Sequence, residues 1–208
     1  DKILKRVVKP ARYIGTEVNS VVKNLDEVEV KFAFAFPDVY EVGMSHLGLQ
    51  ILYSILNKKE YIACERVFAP WVDMEEEMRK EDLPLFSLEN REAIKNFDLV
   101  GFTLQYEMSY TNILNMLDLA GIPLLAADRG EDDPFILAGG PCAYNPEPLA
   151  DIIDFFVIGE GEEVTLEILD KYRDFKKTGG SRKDFLREVG KIQGVYVPSF
   201  YQVAYNED

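Results

Sequence analysis

The sequence is poor in the residues that build most metal and redox centres. It has two cysteines and one histidine in 208 residues. The cysteines, Cys64 and Cys142, lie far apart and match no metal-binding or redox spacing. Two unpaired thiols in a chain of this size favour a reducing, cytoplasmic setting.

Positive charge is also scarce. Lys and Arg number 23 against 37 Asp and Glu, so the formal net charge is −14. This charge argues against direct nucleic-acid binding, which needs many cations near phosphates. The exception is a basic N-terminal segment, which is typical of a solvated arm; it contains Lys2, Lys5, Arg6, Lys9 and Arg12.

Long hydrophobic runs are absent. No run approaches the roughly 20 apolar residues that a membrane helix needs, and the basic N-terminus lacks the apolar stretch of a signal peptide. We therefore expect no membrane association. Hydrophobic residues make up 47% and charged residues 29% of the chain, which indicates one globular domain with a substantial core, or one domain with short appendages.

The chain instead contains alternating strand and helix patterns. Apolar, β-rich runs predict strands at 28–36, 61–68, 97–104, 135–138 and 155–158. Helical spacing predicts helices at 46–58, 71–80, 109–120, 161–177 and 182–190. Ser45 is the expected N-cap of the first helix, and residues 195–204 indicate a late strand or hairpin.

This alternation predicts βαβ units, and hence a mainly parallel sheet with helices on both faces. We expect a flavodoxin-like or Rossmann-like doubly wound α/β fold with five strands and strand 28–36 in a central position. Residues 1–26 are expected to form an arm, 27–178 the α/β domain, and 179–208 a C-terminal helix and strand.

Ligands of this fold sit at the carboxyl ends of the strands, so the loops at 37–45, 103–109, 139–148 and 159–163 are the candidates. Flavin mononucleotide is disfavoured because Asp38 and Glu41 would repel its phosphate. A phosphoacceptor aspartate is missing, since the third strand ends in Thr103, Leu104 and Gln105. The nicotinamide motif GxGxxG is missing as well.

Four short motifs point to a different cofactor. Asp38–Gly43 resembles the D-x-H-x-x-G loop of cobalamin-binding domains, with Tyr40 in place of the histidine. Thr103-Leu104 matches their S-x-L element, and Gly139-Gly140 their G-G element. The segment GGP at 139–141 and the later F-x-x-x-G-E-G-E turn at 155–162 resemble radical S-adenosylmethionine (SAM) proteins that carry a cobalamin-type domain. The resemblance covers about residues 7–200, and residues 10–50 are similar to an uncharacterised Fe–S oxidoreductase branch.

This resemblance implies a set of cofactor-binding residues and no catalytic residue or metal ligand in this chain. The implied set is Asp38, Tyr40, Gly43, Ser45, Thr103, Leu104, Gln105, Gly139, Gly140, Pro141, Gly159, Glu160 and Gly161. The nucleotide tail of cobalamin would pass Gly139 and Gly140, where no Cβ stands in the way, and Tyr40 would face the corrin without ligating cobalt. The two glycines equally fit a tight turn before Pro141, and whether cobalamin binds stays open.

The radical chemistry itself needs a [4Fe–4S] cluster on three cysteines, which this chain cannot supply. We therefore expect the chain to be the N-terminal piece of a longer enzyme, inactive alone. The cluster and SAM would belong to a downstream radical SAM domain, and the substrate would be a small molecule or a macromolecule. The alternative is a degenerate domain that docks a substrate or a protein. His46 is expected to be a packed or surface residue, and the roles of Arg66 and Trp71 stay open.

Overall fold

The computed structural model describes residues 2–202 and residue 204. Its strands are β1 (Val30–Phe36), β2 (Ile62–Phe68), β3 (Leu99–Thr103), β4 (Phe135–Gly139), β5 (Phe155–Val157) and β6 (Val195–Tyr196). Its helices are α1 (Tyr40–Met44), α2 (Leu47–Asn57), α3 (Val72–Lys80), α4 (Tyr110–Leu119), α5 (Gly161–Thr178) and α6 (Arg182–Val189).

The strands form one sheet in the order β2-β1-β3-β4-β5-β6. The first five pair in parallel, as expected for a flavodoxin-like or Rossmann-like fold, and β1 is an interior strand. The expected strand number was wrong by one. Strand β6 is short and joins the sheet antiparallel to β5, with Val157 opposite Val195, so the late strand extends the sheet instead of forming a separate hairpin. Val203, within the expected late strand, lies outside the described residues.

The two faces of the sheet carry different side chains. One face, which we call the cleft face, packs Phe32, Phe34, Leu137 and Val157 against helices α2, α5 and α6. The other, which we call the closed face, packs Ala33, Ala35, Val100 and Ile136 against helices α3 and α4. The alternation along β1 follows from the two-residue period of a strand, and both faces are covered as in other parallel sheets.

The first strand–helix loop contains a short helix that the sequence patterns did not indicate. Helix α1 comprises Tyr40–Met44, and Ser45 is its C-cap. The prediction of Ser45 as the N-cap of α2 was therefore wrong. The N-cap is His46, whose Nδ1 accepts a hydrogen bond from the Leu49 N–H at 3.1 Å.

Residues 17–23 of the N-terminal segment (residues 2–26) lie along the β2 edge of the sheet. Lys23 Nζ donates to the carbonyl oxygens of Asn57, Lys59 and Ile62 at 2.5–2.9 Å, beyond the end of α2. Arg66 is fully buried, pairs with Glu89 at 2.7 Å and reaches Glu17 of the segment at 3.2 Å. Covering an edge strand in this way protects it from pairing with other chains.

Candidate functional site

A cleft of about 200 Å³ opens at the carboxyl ends of the parallel strands and continues between the cleft face and helices α2 and α5. Phe34, Leu137 and Val157 belong to its sheet wall, and Leu49 and Leu52 to its α2 wall. Its place in the fold is the one where doubly wound domains bind ligands. Apolar walls with a few polar groups are typical of cofactor sites.

Glycines leave room in the cleft where other residues would place side chains. Gly139, Gly159 and Gly161 all line it. A Cβ on Gly139 would come no closer than 3.5 Å to the Val157 carbonyl oxygen, and one on Gly161 no closer than 3.5 Å to Leu52. A Cβ at either position would make ordinary van der Waals contact, so the fold does not require glycine at these two cleft positions on steric grounds.

Gly140 lines the cleft for a different reason. Its φ is +108°, and a Cβ would lie 2.9 Å from the carbonyl oxygen of Leu104. The residue is glycine because the turn into Pro141 requires this backbone conformation. Both expectations for this position, a tight turn and a cleft wall, are therefore met by the same residue.

The polar groups of the cleft are uncharged or acidic. Thr103 accepts a hydrogen bond from Gln105 Nε2 at 2.7 Å, and His46 and Thr165 also line the space. Glu160 and Glu162 lie at the start of α5, where carboxylates complement the positive end of the helix. No Lys or Arg is among the cleft-lining residues of the described chain.

Seven of the thirteen candidate residues from the sequence line this cleft. They are Thr103, Gln105, Gly139, Gly140, Gly159, Glu160 and Gly161. They come from three loops far apart in the chain, which the parallel strands β3, β4 and β5 bring to one end of the sheet.

Two more candidates support the cleft from outside. Leu104 is fully buried; its N–H donates to the Gly139 carbonyl oxygen at 2.6 Å, and its own carbonyl accepts from the Cys142 N–H at 3.0 Å. Pro141 begins the 3-10 turn Pro141–Tyr144. Both residues fix the course of the glycine segment without lining the cleft.

The structure places the four candidates of the first loop elsewhere. Asp38 accepts from the hydroxyl of Tyr106 and from the Val39 N–H. Gly43 packs so tightly that an added Cβ would lie 2.3 Å from the Phe68 ring. Ser45 is exposed and donates to the Val42 carbonyl oxygen at 2.8 Å.

Tyr40 is directed toward the N-terminal segment. Its hydroxyl donates to Glu17 at 2.9 Å, and its ring packs edge-on against Phe68 with centroids 5.5 Å apart. Burial, together with the nearby Glu17 carboxylate, raises the pKa of Tyr40 to about 12. The tyrosine is therefore neutral at physiological pH and held away from the cleft.

Residues 48–198 match the family described as "Radical SAM proteins, N-terminal". The chain belongs to this family. It is also 28% identical over 168 residues to "Uncharacterized protein MJ0966" of Methanocaldococcus jannaschii. That alignment covers 79% of this chain but only 31% of the archaeal protein. No solved structure matches.

The thiols of this radical SAM N-terminal domain are separate and not arranged for metal binding. Cys64 is fully buried, and burial raises the pKa of its thiol well above the usual value. Cys142 is half-buried near the strand ends. Within residues 2–202 and 204, no group of His, Cys, Asp and Glu side chains is placed to hold a metal ion. None of the described helices is long and apolar enough to cross a membrane.

The candidate set from the sequence lacks three polar residues of the cleft, His46, Glu162 and Thr165. His46 lines its mouth, although the isolated histidine matched no motif. The usable signal was its place three residues before Leu49, the N-cap spacing at which a side chain reaches a backbone N–H. Two residues whose roles were left open do not line the cleft: Arg66 is buried in the ion-pair network, and Trp71 lies under Arg12 with the guanidinium 5.3 Å from its ring.

Proposed function

We propose that this domain binds the nucleotide tail of a cobalamin-type cofactor in the cleft, within a longer radical SAM protein. The observation that carries the proposal is the shape of the cleft. It opens at the strand ends and continues between the sheet and helices α2 and α5, the course along which cobalamin-type domains thread that tail.

The apolar walls fit the base of such a tail, and its negatively charged phosphodiester would lie away from Glu160 and Glu162. The cleft of about 200 Å³ is smaller than the roughly 300–1,000 Å³ of a site that encloses a whole ligand. It therefore suits a slender part of a cofactor, with the corrin outside, over the strand ends. The walls offer aromatic and aliphatic surface to a flat base, and Gly139 and Gly161 lack the side chains that would fill the space.

Three tyrosines that could have blocked the strand ends do not line the cleft. Tyr40 packs on Phe68, Tyr106 bonds to Asp38 while 40% exposed, and Tyr144 is 73% exposed. Their positions support a site that is open to a large ligand.

The proposal includes no protein ligand to cobalt. Tyr40, which replaces the motif histidine, is neutral and bonded to Glu17. When bound, such a cofactor would supply methyl transfer or one-electron chemistry. The residues of this chain would bind its tail and keep water from the buried part of the cleft.

Radical chemistry would require the rest of the longer protein. The chain spans less than a third of the length of its archaeal relative, and the [4Fe–4S] cluster and SAM are proposed to belong to a downstream domain. A cytoplasmic location is part of the same proposal, since both cysteines are free thiols.

The test is a spectroscopic titration of the chain with hydroxocobalamin. Gly139→Val adds a side chain to the cleft at a position whose backbone tolerates a Cβ, and we expect it to weaken binding roughly tenfold or more by overpacking. Gly130→Val is the matched control, because a Cβ there meets nothing closer than Asp133 at 3.9 Å. Gly140 is unsuitable, since its positive φ would strain any substitute.

Tyr40→Phe should leave affinity nearly unchanged, because its hydroxyl bonds Glu17 and not the ligand. Binding that is lost in Tyr40→Phe but kept in Gly139→Val would contradict the proposed placement.

A second candidate function is a docking module without a cofactor. Large apolar side chains are exposed in the turns and first helical residues that follow the strands, and exposed side chains of this kind occur at protein interfaces; they include Leu47, Trp71, Val72, Met108 and Tyr144. No cobalamin binding by the wild-type chain would favour this function.

A further inference from the structure

The single histidine of the chain stands at the mouth of the cleft. Two contacts hold its ring: Nδ1 accepts from the Leu49 N–H at 3.1 Å, and the Phe36 ring centroid lies 5.2 Å away. The ring also lies over Gly48, where an added Cβ would come within 3.0 Å of the His46 Cε1 atom. The ring is therefore held by the start of α2 and not free at the surface.

These contacts define which nitrogen carries the proton. A nitrogen that accepts an N–H hydrogen bond has no hydrogen of its own, so in neutral His46 the proton lies on Nε2. Among the described residues, the Nε2–H has no hydrogen-bond partner. His46 thus brings a fixed, unused donor to a cleft whose other side-chain groups include hydroxyls, an amide and carboxylates.

The charged side chains around the cleft determine which kind of group can accept the hydrogen bond from the His46 Nε2–H. Glu160 and Glu162 line it, and no Lys or Arg among the described lining residues offsets them. A free carboxylate beside His46 would meet these negative charges without a side-chain countercharge, and so would the phosphodiester of a nucleotide tail, which therefore has to lie away from His46. An uncharged carbonyl oxygen, such as that of a carboxamide, accepts the same hydrogen bond without this repulsion.

We propose that His46 binds the ligand of the cleft by donating its Nε2–H to an uncharged carboxamide oxygen, and that it does not ligate cobalt. This inference rests on the proposed cofactor function. Ligation through Nε2 would require that nitrogen to lose its proton and Nδ1 to gain one, which would remove the cap on the Leu49 N–H. Ligation through Nδ1 would remove the same cap directly.

The first test is long-range ¹⁵N–¹H NMR of the chain at neutral to mildly alkaline pH. Because the chain has one histidine, the spectrum reports His46 without assignment. We expect the Nε2–H tautomer in the free protein and a shift of the Nε2 signal when hydroxocobalamin is added. The Nδ1–H tautomer in the free protein would overturn the inference.

The second test compares two variants of His46 that differ in the N-cap but both lack the Nε2–H donor. His46→Asn retains an N-cap side chain but removes the ring, whereas His46→Phe retains a ring but removes the cap. Both lack the Nε2–H, so both should weaken hydroxocobalamin binding about tenfold, the effect of one hydrogen bond. A loss only in His46→Phe would assign the effect to the cap and overturn the inference.

The third test uses dicyanocobinamide, which has corrin carboxamides but no nucleotide tail and has both axial cobalt positions occupied by cyanide. His46→Asn should weaken its binding by a similar factor. An effect restricted to hydroxocobalamin would indicate a tail group or cobalt as the partner and contradict the proposal. Equal hydroxocobalamin binding by the wild type and the variants would overturn this inference alone, whereas no hydroxocobalamin binding by the wild type would overturn the cofactor function as well.

Discussion

The two faces of the sheet are built from the same strands, yet the cleft at the strand ends lies on the cleft face. On the closed face, Ala33 and Ala35 are small, and the side chains of α3 and α4 pack against them. On the cleft face, the large rings of Phe32 and Phe34 alternate with Gly101 and Gly139 on neighbouring strands. The difference teaches that a cleft depends on where side chains are missing near the strand ends and not on how apolar a face is.

The largest expected effect is a difference in unfolding free energy when one leucine on each face is replaced by alanine. Leu117 of α4 is fully buried on the closed face, so Leu117→Ala should lower the free energy of unfolding by about 2–5 kcal/mol. Leu52 of α2 is only partly buried and borders space that already exists. Leu52→Ala should therefore cost about 1 kcal/mol. Urea unfolding measures both, and equal losses would contradict the contrast.

A smaller effect should separate two glycines on the cleft face. A Cβ on Gly101 would lie 2.5 Å from the buried Phe32 ring, whereas one on Gly139 meets nothing closer than 3.5 Å. We expect Gly101→Ala to destabilise the domain by about 1–3 kcal/mol and Gly139→Ala to be neutral or to stabilise it by up to about 1 kcal/mol. Thermal and urea unfolding of the pair provide the measurement. The reverse order would mean that the space beside Gly139 is needed for folding.

The strands, helices and sheet type were predicted from the sequence more accurately than the side-chain positions in the first strand–helix loop, residues 37–45. The apolar, β-rich run at 28–36 and the helical spacing at 46–58 are local patterns, and they correctly indicated a strand and a helix. The alternation of such segments along the chain correctly indicated a mainly parallel sheet. The direction of Tyr40 depends on Glu17 and Phe68, which are 23 and 28 residues away, so no local pattern specifies it. The extra helix α1 moved the N-cap from Ser45 to His46 and thereby placed the histidine at the cleft.

The burial of Arg66 shows the same limit. Its partners Glu17 and Glu89 lie on either side of it in sequence and converge only when the N-terminal segment packs on the β2 edge. The basic residues at 2–12 suggested a solvated arm, yet Arg6 pairs with Glu77 and Glu81, and Arg12 pairs with Glu41, across contacts that exist only in the folded domain. Gly140 was easier to interpret, because a glycine before Pro141 indicates a backbone conformation that other residues rarely adopt.

The smallest expected effect tests whether the cleft depends on the N-terminal segment. Glu41 accepts hydrogen bonds from Arg12 at 3.0 Å and Lys9 at 3.2 Å, and chiefly the Arg12 bond lowers the pKa of its carboxyl group from 4.5 to about 2. Because the folded pKa is depressed, the ion pairs stabilise the domain fully above about pH 4.5, and this contribution is lost as the pH falls toward 2.

The Glu41 side chain is 44% exposed, so solvent screening limits the contribution to at most about 1 kcal/mol. Glu41→Gln removes the carboxylate while other acids titrate alike in both proteins. The difference in unfolding free energy between wild type and variant should therefore shrink between pH 6 and pH 2, which urea unfolding at several pH values would measure. A difference that does not change with pH would contradict the ion-pair assignment.

The same variant tests whether the N-terminal segment helps to form the cleft. At neutral pH, Glu41→Gln should leave hydroxocobalamin affinity unchanged, because Glu41 does not line the cleft. A weakened affinity would mean that the cleft depends on the N-terminal segment as well as on packing of the cleft face.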